Sequence, residues 1–212
     1  MVIESGCAGV LSSYEQALKE LVDGPGKSGP VEFAWFSDTF LLYAQDDSSS
    51  SFRQIESRAR LFMNALTMRR IPFTGALSCG DFLAQKEDSI FVGRALVESY
   101  RLCETQDWIG YVLSPTAVNR MRELGLPLEE RLNYRFWSIP QKTRDSAGQE
   151  LPALLLGGPA YNLGQNDCYA ALQEMRNHAH NDRVRAKYDR TLHFLEQRGL
   201  IVIVPRIDED LI

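Results

Sequence analysis

The sequence has no apolar run approaching the length of a bilayer span, and its first residues carry no basic segment followed by an apolar one. Neither membrane insertion nor secretion is predicted, and the expected compartment is the cytoplasm. Positive charge is also in short supply, the formal net charge being −5. Nonspecific binders of DNA, RNA or an anionic membrane need a basic surface to displace counterions, so that class is set aside. Cysteine is sparse: Cys7, Cys79, Cys103 and Cys168 are widely spaced with no Cys-x-x-Cys pair. Such spacing fits reduced, mostly buried thiols better than a disulfide frame or a zinc site. No internal repeat is visible at any period.

What is present is ordinary for a globular chain. Hydrophobic residues make up 44% and charged residues 24% of 212 positions, enough for one large domain, or one domain with a tail.

The most informative stretch is Val31 to Ala44, two apolar runs rich in aromatic and β-branched residues, separated by Ser37-Asp38. A two-residue polar interruption between such runs predicts a β-hairpin with an acid at its tip. Two readings of Asp38 stand together. A carboxylate fixed by two strands and open to solvent suits a divalent cation that wants hard oxygen ligands. A turn aspartate bonding its own backbone is the commoner case.

Around this hairpin the chain alternates. Val10, Leu11, Tyr14, Leu18, Leu21 and Val22 predict a helix over 10–22. Gly26-Lys27-Ser28 matches the end of a P-loop, but Leu21 stands where its first glycine belongs, and the segment runs from helix to strand, so it is a connector. Phe52, Ile55, Ala59, Phe62, Met63 and Leu66 predict a long amphipathic helix ending near Arg69-Arg70, whose charges suit the helix dipole. Phe73 to Cys79 reads as a strand with Phe82 to Ala84 as its hairpin partner, and Gly93 opens a helix through Arg101. Trp108 to Leu113 is a further strand, and Ser114-Pro115 starts a short helix.

Beyond Leu126 the pattern loosens. Tyr134 to Ile139 and Leu151 to Leu156 are two candidate strands, Leu200 to Val204 a closing one, and about 166–197 one long helix. The fold class is α+β, with helices on one sheet. The expected organisation is a core over 1–126 and a C-terminal extension over 127–212 packed on it.

Other residues have plainer readings. His178 and His180 stand at i and i+2 of the expected helix and face different directions, which argues against a metal pair. Arg183, Arg185, Lys187 and Arg190 alternate with Asp182 and Asp189 as a solvated face. Trp35, Trp108 and Trp137 read as core or interface aromatics.

Taken together, the acid-tipped hairpin, the long helix, the glycine-flanked strand and the Gly93-to-Arg101 helix resemble the catalytic domain of the class III nucleotidyl cyclases, over about Val31 to Thr116. In that family the hairpin reads Gly-Asp-Ala-Tyr and carries a metal-binding aspartate; Ser37-Asp38-Thr39-Phe40 stands in its place. The family strand Gly-Ile-His-Thr-Gly looks like Gly75 to Gly80 with one residue more. Its helix has glycine, asparagine four on and arginine four after that, where this chain has Gly93, Val97 and Arg101. The resemblance makes Arg101 the residue that stabilises charge building on the α-phosphate, while Val97 replaces the asparagine that positions the nucleotide. Without the resemblance, a helix arginine reads as a solvated or ion-paired surface group.

The purine-reading lysine of the family, four residues before Asp38, is here Ala34, and its polar partner, three before Gly93, is Ile90. With Ser37 in the hairpin, these departures make the chain similar to the pyrimidine cyclases of antiphage (Pycsar) systems, which form cyclic UMP or cyclic CMP. The resemblance implies a ferredoxin-like βαββαβ core, a nucleoside triphosphate substrate, two divalent cations (Mn2+ or Mg2+), and a homodimer in which Asp38 of one subunit and Arg101 of the other share a site.

The family's opening strand, with its first metal aspartate, has no counterpart in residues 1–9. Glu4 and Asp81 are the stand-in acids, turn acid being the plainer reading of Asp81. Three expectations follow: an active cyclase whose first strand is missing from this sequence, a silent cyclase-fold dimer that binds a nucleotide or a partner, or an α+β domain with none of this chemistry.

Overall fold

A computed structural model of the chain describes residues 9, 12–19, 31–36, 38–126, 134–143, 148–157 and 165–198. Residues 12–19 form helix α1. The architecture is best built outward from the next helix, α2 (Ser49–Met68). Its start is set by Ser48, whose hydroxyl accepts from the Ser51 amide at 3.2 Å. Phe52, Ile55, Ala59, Phe62 and Leu66 recur every three or four residues and are all buried, so one face is apolar along the whole helix. Each such large side chain contributes about 1.5–3 kcal/mol. Arg69 ends the helix, donating to the Ala65 carbonyl at 3.1 Å, as a basic residue at a helix C-terminus should. Arg70 leaves with φ 59 and turns its guanidinium to Glu174 at 2.6 Å.

Strands β1 (Val31–Phe36) and β2 (Thr39–Ala44) form the expected hairpin, with Phe36 opposite Thr39. Phe40 fastens it to α2, its ring 4.4 Å from that of Phe62. A four-stranded sheet comprises β3 (Thr74–Leu77), β6 (Gly110–Leu113), β7 (Tyr134–Ser138) and β8 (Glu150–Leu154), in the order β3-β6-β8-β7. Only the β3–β6 pair is parallel. Helices α3 (Arg94–Thr105), α4 (Pro115–Glu123), α5 (Gln165–Asn177) and α6 (Asp182–Arg198) complete an α+β fold. No described helix is long and apolar enough to cross a membrane.

Three expectations are corrected. Residues Phe82 to Ala84 do not pair with the Phe73–Cys79 strand; β4 (Leu83–Gln85) pairs with β5 (Ile90–Val92). A tight turn makes this partner available, with Ser89 at φ 55 and its amide bonded to the Lys86 carbonyl at 3.1 Å. Second, the described strands fall into three sheets rather than one, because the β1–β2 hairpin docks on α2 through rings rather than on a neighbouring strand through hydrogen bonds. Third, the long helix over about 166–197 is two helices. Asn181 accepts from the Val184 amide at 2.8 Å and starts α6 afresh, leaving His178 to His180 in the break. The expected helix 10–22 is described only at 12–19, and the Leu200–Val204 strand lies outside the described residues.

The C-terminal helix is stitched to the sheet at the head of β6. Thr191 Oγ1 accepts from the Ile109 amide at 2.9 Å and donates to its carbonyl at 2.8 Å, while Arg190 meets Asp107 at 2.7 Å. Trp108 is buried there, its indole N–H donating to Gln106 at 2.7 Å and its ring edge-on to Phe194. Trp137 meets the same phenylalanine, whereas Trp35 is 37% exposed. Cys79, Cys103 and Cys168 are free thiols, and burial pushes Cys103 up to about 11.

Between α2 and the sheet lies a buried acid. Glu56 is 1% exposed and pairs with Arg60 at 3.1 Å. The buried Tyr134 hydroxyl turns toward this carboxylate but completes no hydrogen bond. Desolvation holds the Glu56 carboxyl above its ordinary range, against the opposing pull of Arg60. The folded chain therefore grips this proton more tightly than the unfolded one. Its contribution to stability is lost as pH rises from the unfolded value of 4.5 through the raised folded value. Thermal unfolding from pH 4.5 upward should show the wild-type midpoint falling more steeply with pH than that of Glu56→Gln; parallel slopes would contradict this.

The junction between β5 and α3 yields a second expectation. Gly93 has φ +149, and a Cβ on it would lie 2.2 Å from the Asp81 carbonyl oxygen and 2.7 Å from the Phe82 Cα. Gly93→Ala should cost about 1–3 kcal/mol in denaturant unfolding, and an unchanged midpoint would refute the close approach.

Candidate functional site

Asp38 sits at the tip of the β1–β2 hairpin, exposed, and its carboxylate accepts no hydrogen bond among the described residues. Its nearest influence is on Tyr14 of α1, whose hydroxyl is pushed up by burial first and by the Asp38 charge second. Tyr14 packs on Trp35 at 5.8 Å, bringing α1 against the hairpin's end. Ala34 is half-buried on β1, and Ser37 lies outside the described residues.

Arg101 is placed by α3. The close approach at Gly93 and the Ala95 amide, which donates to the Asp81 carbonyl at 3.4 Å, fix where the helix begins. From there the four-residue spacing 93, 97, 101, 105 runs along one face. This face lines an open groove of about 650 Å3, walled by Gly93, by Arg94, Val97, Glu98, Arg101, Leu102 and Thr105 of α3, by Pro115 of α4 and by Gln149 before β8.

The charge in this groove is arranged unevenly. Glu98 accepts from the Thr116 hydroxyl, which also bonds Ser114 at 2.9 Å and the Cys79 amide at 3.0 Å. That acid is thus engaged in tying α3 to α4. Arg101 is exposed and makes no ion pair or hydrogen bond among the described residues. Arg60, Arg70, Arg120, Arg176 and Arg190, by contrast, are each held by an acid at 3.1 Å or less. A guanidinium left free beside apolar walls is a ready partner for a ligand's anionic group, worth more there than in bulk water.

The remaining sequence candidates scatter. Val97 lies with Arg101 in the groove, 48% exposed. Asp38, Ala34 and Ile90 do not line it. Ile90 is on the outward face of the β4–β5 hairpin with Leu83 and Val92, all well exposed. Asp81 meets Arg94 at 3.8 Å with both side chains almost fully in water, a contact of little energetic weight. Glu4 lies outside the described residues, among which no group of three or more His, Cys, Asp or Glu side chains gathers as a metal site.

Arg94, Glu98, Leu102, Thr105 and Gln149 of the groove escaped the sequence reading. Thr105 continues the spacing of Gly93, Val97 and Arg101 by one more step and was legible in principle. Gln149 comes from a turn far along the chain and carries no local signal. A second cleft, of about 510 Å3, lies at the α5–α6 break beside His178 and His180, but its arginine, Arg70, is already neutralised by Glu174.

No family model, no curated protein and no solved structure matches this chain.

Proposed function

We propose that the chain is a class III-type nucleotidyl cyclase acting as a homodimer in the cytoplasm, converting UTP or CTP to the 3′,5′-cyclic nucleotide and pyrophosphate. The observation that carries this reading is Arg101, a free guanidinium in a nucleotide-sized groove, eight residues after the glycine that anchors its helix. The described order α1, β1, β2, α2, β3 supports a ferredoxin-like core, being βαββαβ less its first strand. Leu83, Ile90 and Val92 on the β4–β5 hairpin, with Val97 and Tyr100 on α3, form exposed apolar surface that a second copy would cover.

In this reaction the ribose 3′-oxygen attacks the α-phosphorus in line. The bond from phosphorus to the pyrophosphate oxygen breaks, and the hydroxyl proton is lost to solvent. Arg101 holds the α-phosphate and offsets the charge that grows on it, which is where a positioned cation contributes most. Val97 and Leu102 exclude water along one wall of the groove. Two divalent cations are implied by the resemblance. Asp38, exposed at the hairpin's tip, suits one hard cation as an oxygen ligand, but the described acids do not assemble a two-cation set. That shortfall favours a second reading, a dimer of cyclase type that binds the triphosphate without cyclising it.

Incubating the chain with each of the four nucleoside triphosphates and Mn2+, then resolving products by mass spectrometry, separates the two. The cyclase reading expects cyclic UMP or cyclic CMP. It expects a loss of about 100-fold or more in Asp38→Ala and in Arg101→Ala, and partial recovery when the two variants are mixed. Full turnover by Arg101→Ala would overturn it, and binding without product would establish the silent form.

A further inference from the structure

Gln149 enters the Arg101 groove from the turn that leads into β8, outside the stretch that carries the cyclase resemblance. Its backbone is firmly held. The Gln149 carbonyl accepts from the Ile139 amide at 3.0 Å. At the preceding residue, Gly148, an added Cβ would meet the Ile139 carbonyl oxygen at 2.6 Å and the Ser138 Oγ at 2.7 Å. The side chain, in contrast, is exposed and makes no hydrogen bond among the described residues. A carboxamide fixed at its root and left uncommitted at its tip is arranged for something outside the chain.

The groove presents two chemistries. Arg101 offers a cation for phosphate oxygens. Val97, Leu102 and Pro115 offer apolar walls for a flat ring, and Gln149 beside them offers one neutral group that both donates and accepts. Neither Ala34 nor Ile90 has a hydrogen-bonding side chain, so neither can read a base edge.

We propose, resting on the cyclase reading above, that Gln149 is a base-reading residue whose carboxamide hydrogen-bonds the pairing edge of a pyrimidine. Uracil presents an N3 donor beside the O4 acceptor, and cytosine presents the N3 acceptor beside the N4 donor. A carboxamide matches either by rotating half a turn about its terminal bond. The wild-type site therefore takes both UTP and CTP. A carboxylate at 149 can only accept, so it meets one donor on either base, N3–H of uracil or N4–H of cytosine, and opposes the neighbouring acceptor.

The test is calorimetric titration of the intact chain with UTP and with CTP in the presence of Mn2+, for wild type, Gln149→Ala, Gln149→Glu and Gln149→Asn, with circular dichroism as the folding check. Wild type should bind the two triphosphates within about tenfold of one another, and Gln149→Ala should weaken both by about tenfold, the scale of one lost hydrogen bond to a ligand. Gln149→Glu, which loses the donor and sets a negative charge against the base acceptor, should weaken UTP and CTP alike by about tenfold or more. Gln149→Asn, which keeps the carboxamide one methylene short, should weaken both without changing the preference, and it secures the test should the other variants fail to fold. Folded variants that bind both triphosphates as wild type does would overturn the assignment of Gln149. If such binding were nonetheless lost in Arg101→Ala, the cyclase reading would stand without it. A folded wild-type chain that binds neither triphosphate would overturn both.

Discussion

The start of α3 depends on a place where the backbone has no room for a side chain. Gly93 packs against the Asp81 carbonyl at a distance that a Cβ could not tolerate, in a conformation that residues with a Cβ rarely adopt. Because a helix repeats every 3.6 residues, fixing its first residue fixes the direction of every later one. Val97, Arg101 and Thr105 then share the groove face. Within the same groove, the Glu98–Thr116 contact fastens the helix to α4. The proposed function rests on this mechanical arrangement more than on any unusual side chain.

Several cations away from the groove are matched to acids, as at Arg60–Glu56, Arg120–Asp47 and Arg190–Asp107. Even the buried Glu56 has its partner, although desolvation still favours its neutral form. Asp38 and Arg101 are exposed and make no ion pair among the described residues. They lie on different elements and do not meet in one groove. Two copies, joined over the apolar surface beside α3, are the simplest way for both to reach one triphosphate.

Much of this was legible in the sequence, for identifiable reasons. The β1–β2 hairpin follows from two β-prone runs separated by two polar residues, and α2 follows from one apolar stripe and a serine cap. Both are local patterns. The failures are long-range. Nothing near Phe82 announces that its strand will pair across the Lys86–Ser89 turn rather than with β3. The α5–α6 break carried a local signal, Asn181-Asp182 as a helix start, that the surrounding helical periodicity masked. Gln149 could not have been found at all, since its place beside Arg101 depends on strand pairing some fifty residues away. The pairing of Asp38 with Arg101 came from family likeness, not from periodicity.

The most direct measurement is a crystal structure of the chain grown with a non-hydrolysable UTP analogue. The account predicts a two-fold dimer in which the phosphates of one ligand lie within hydrogen-bond distance of Arg101 from one copy, with Asp38 of the other copy facing the same phosphates. A ligand bound away from the α3 groove, or held by a single copy with Asp38 remote from it, would contradict that account.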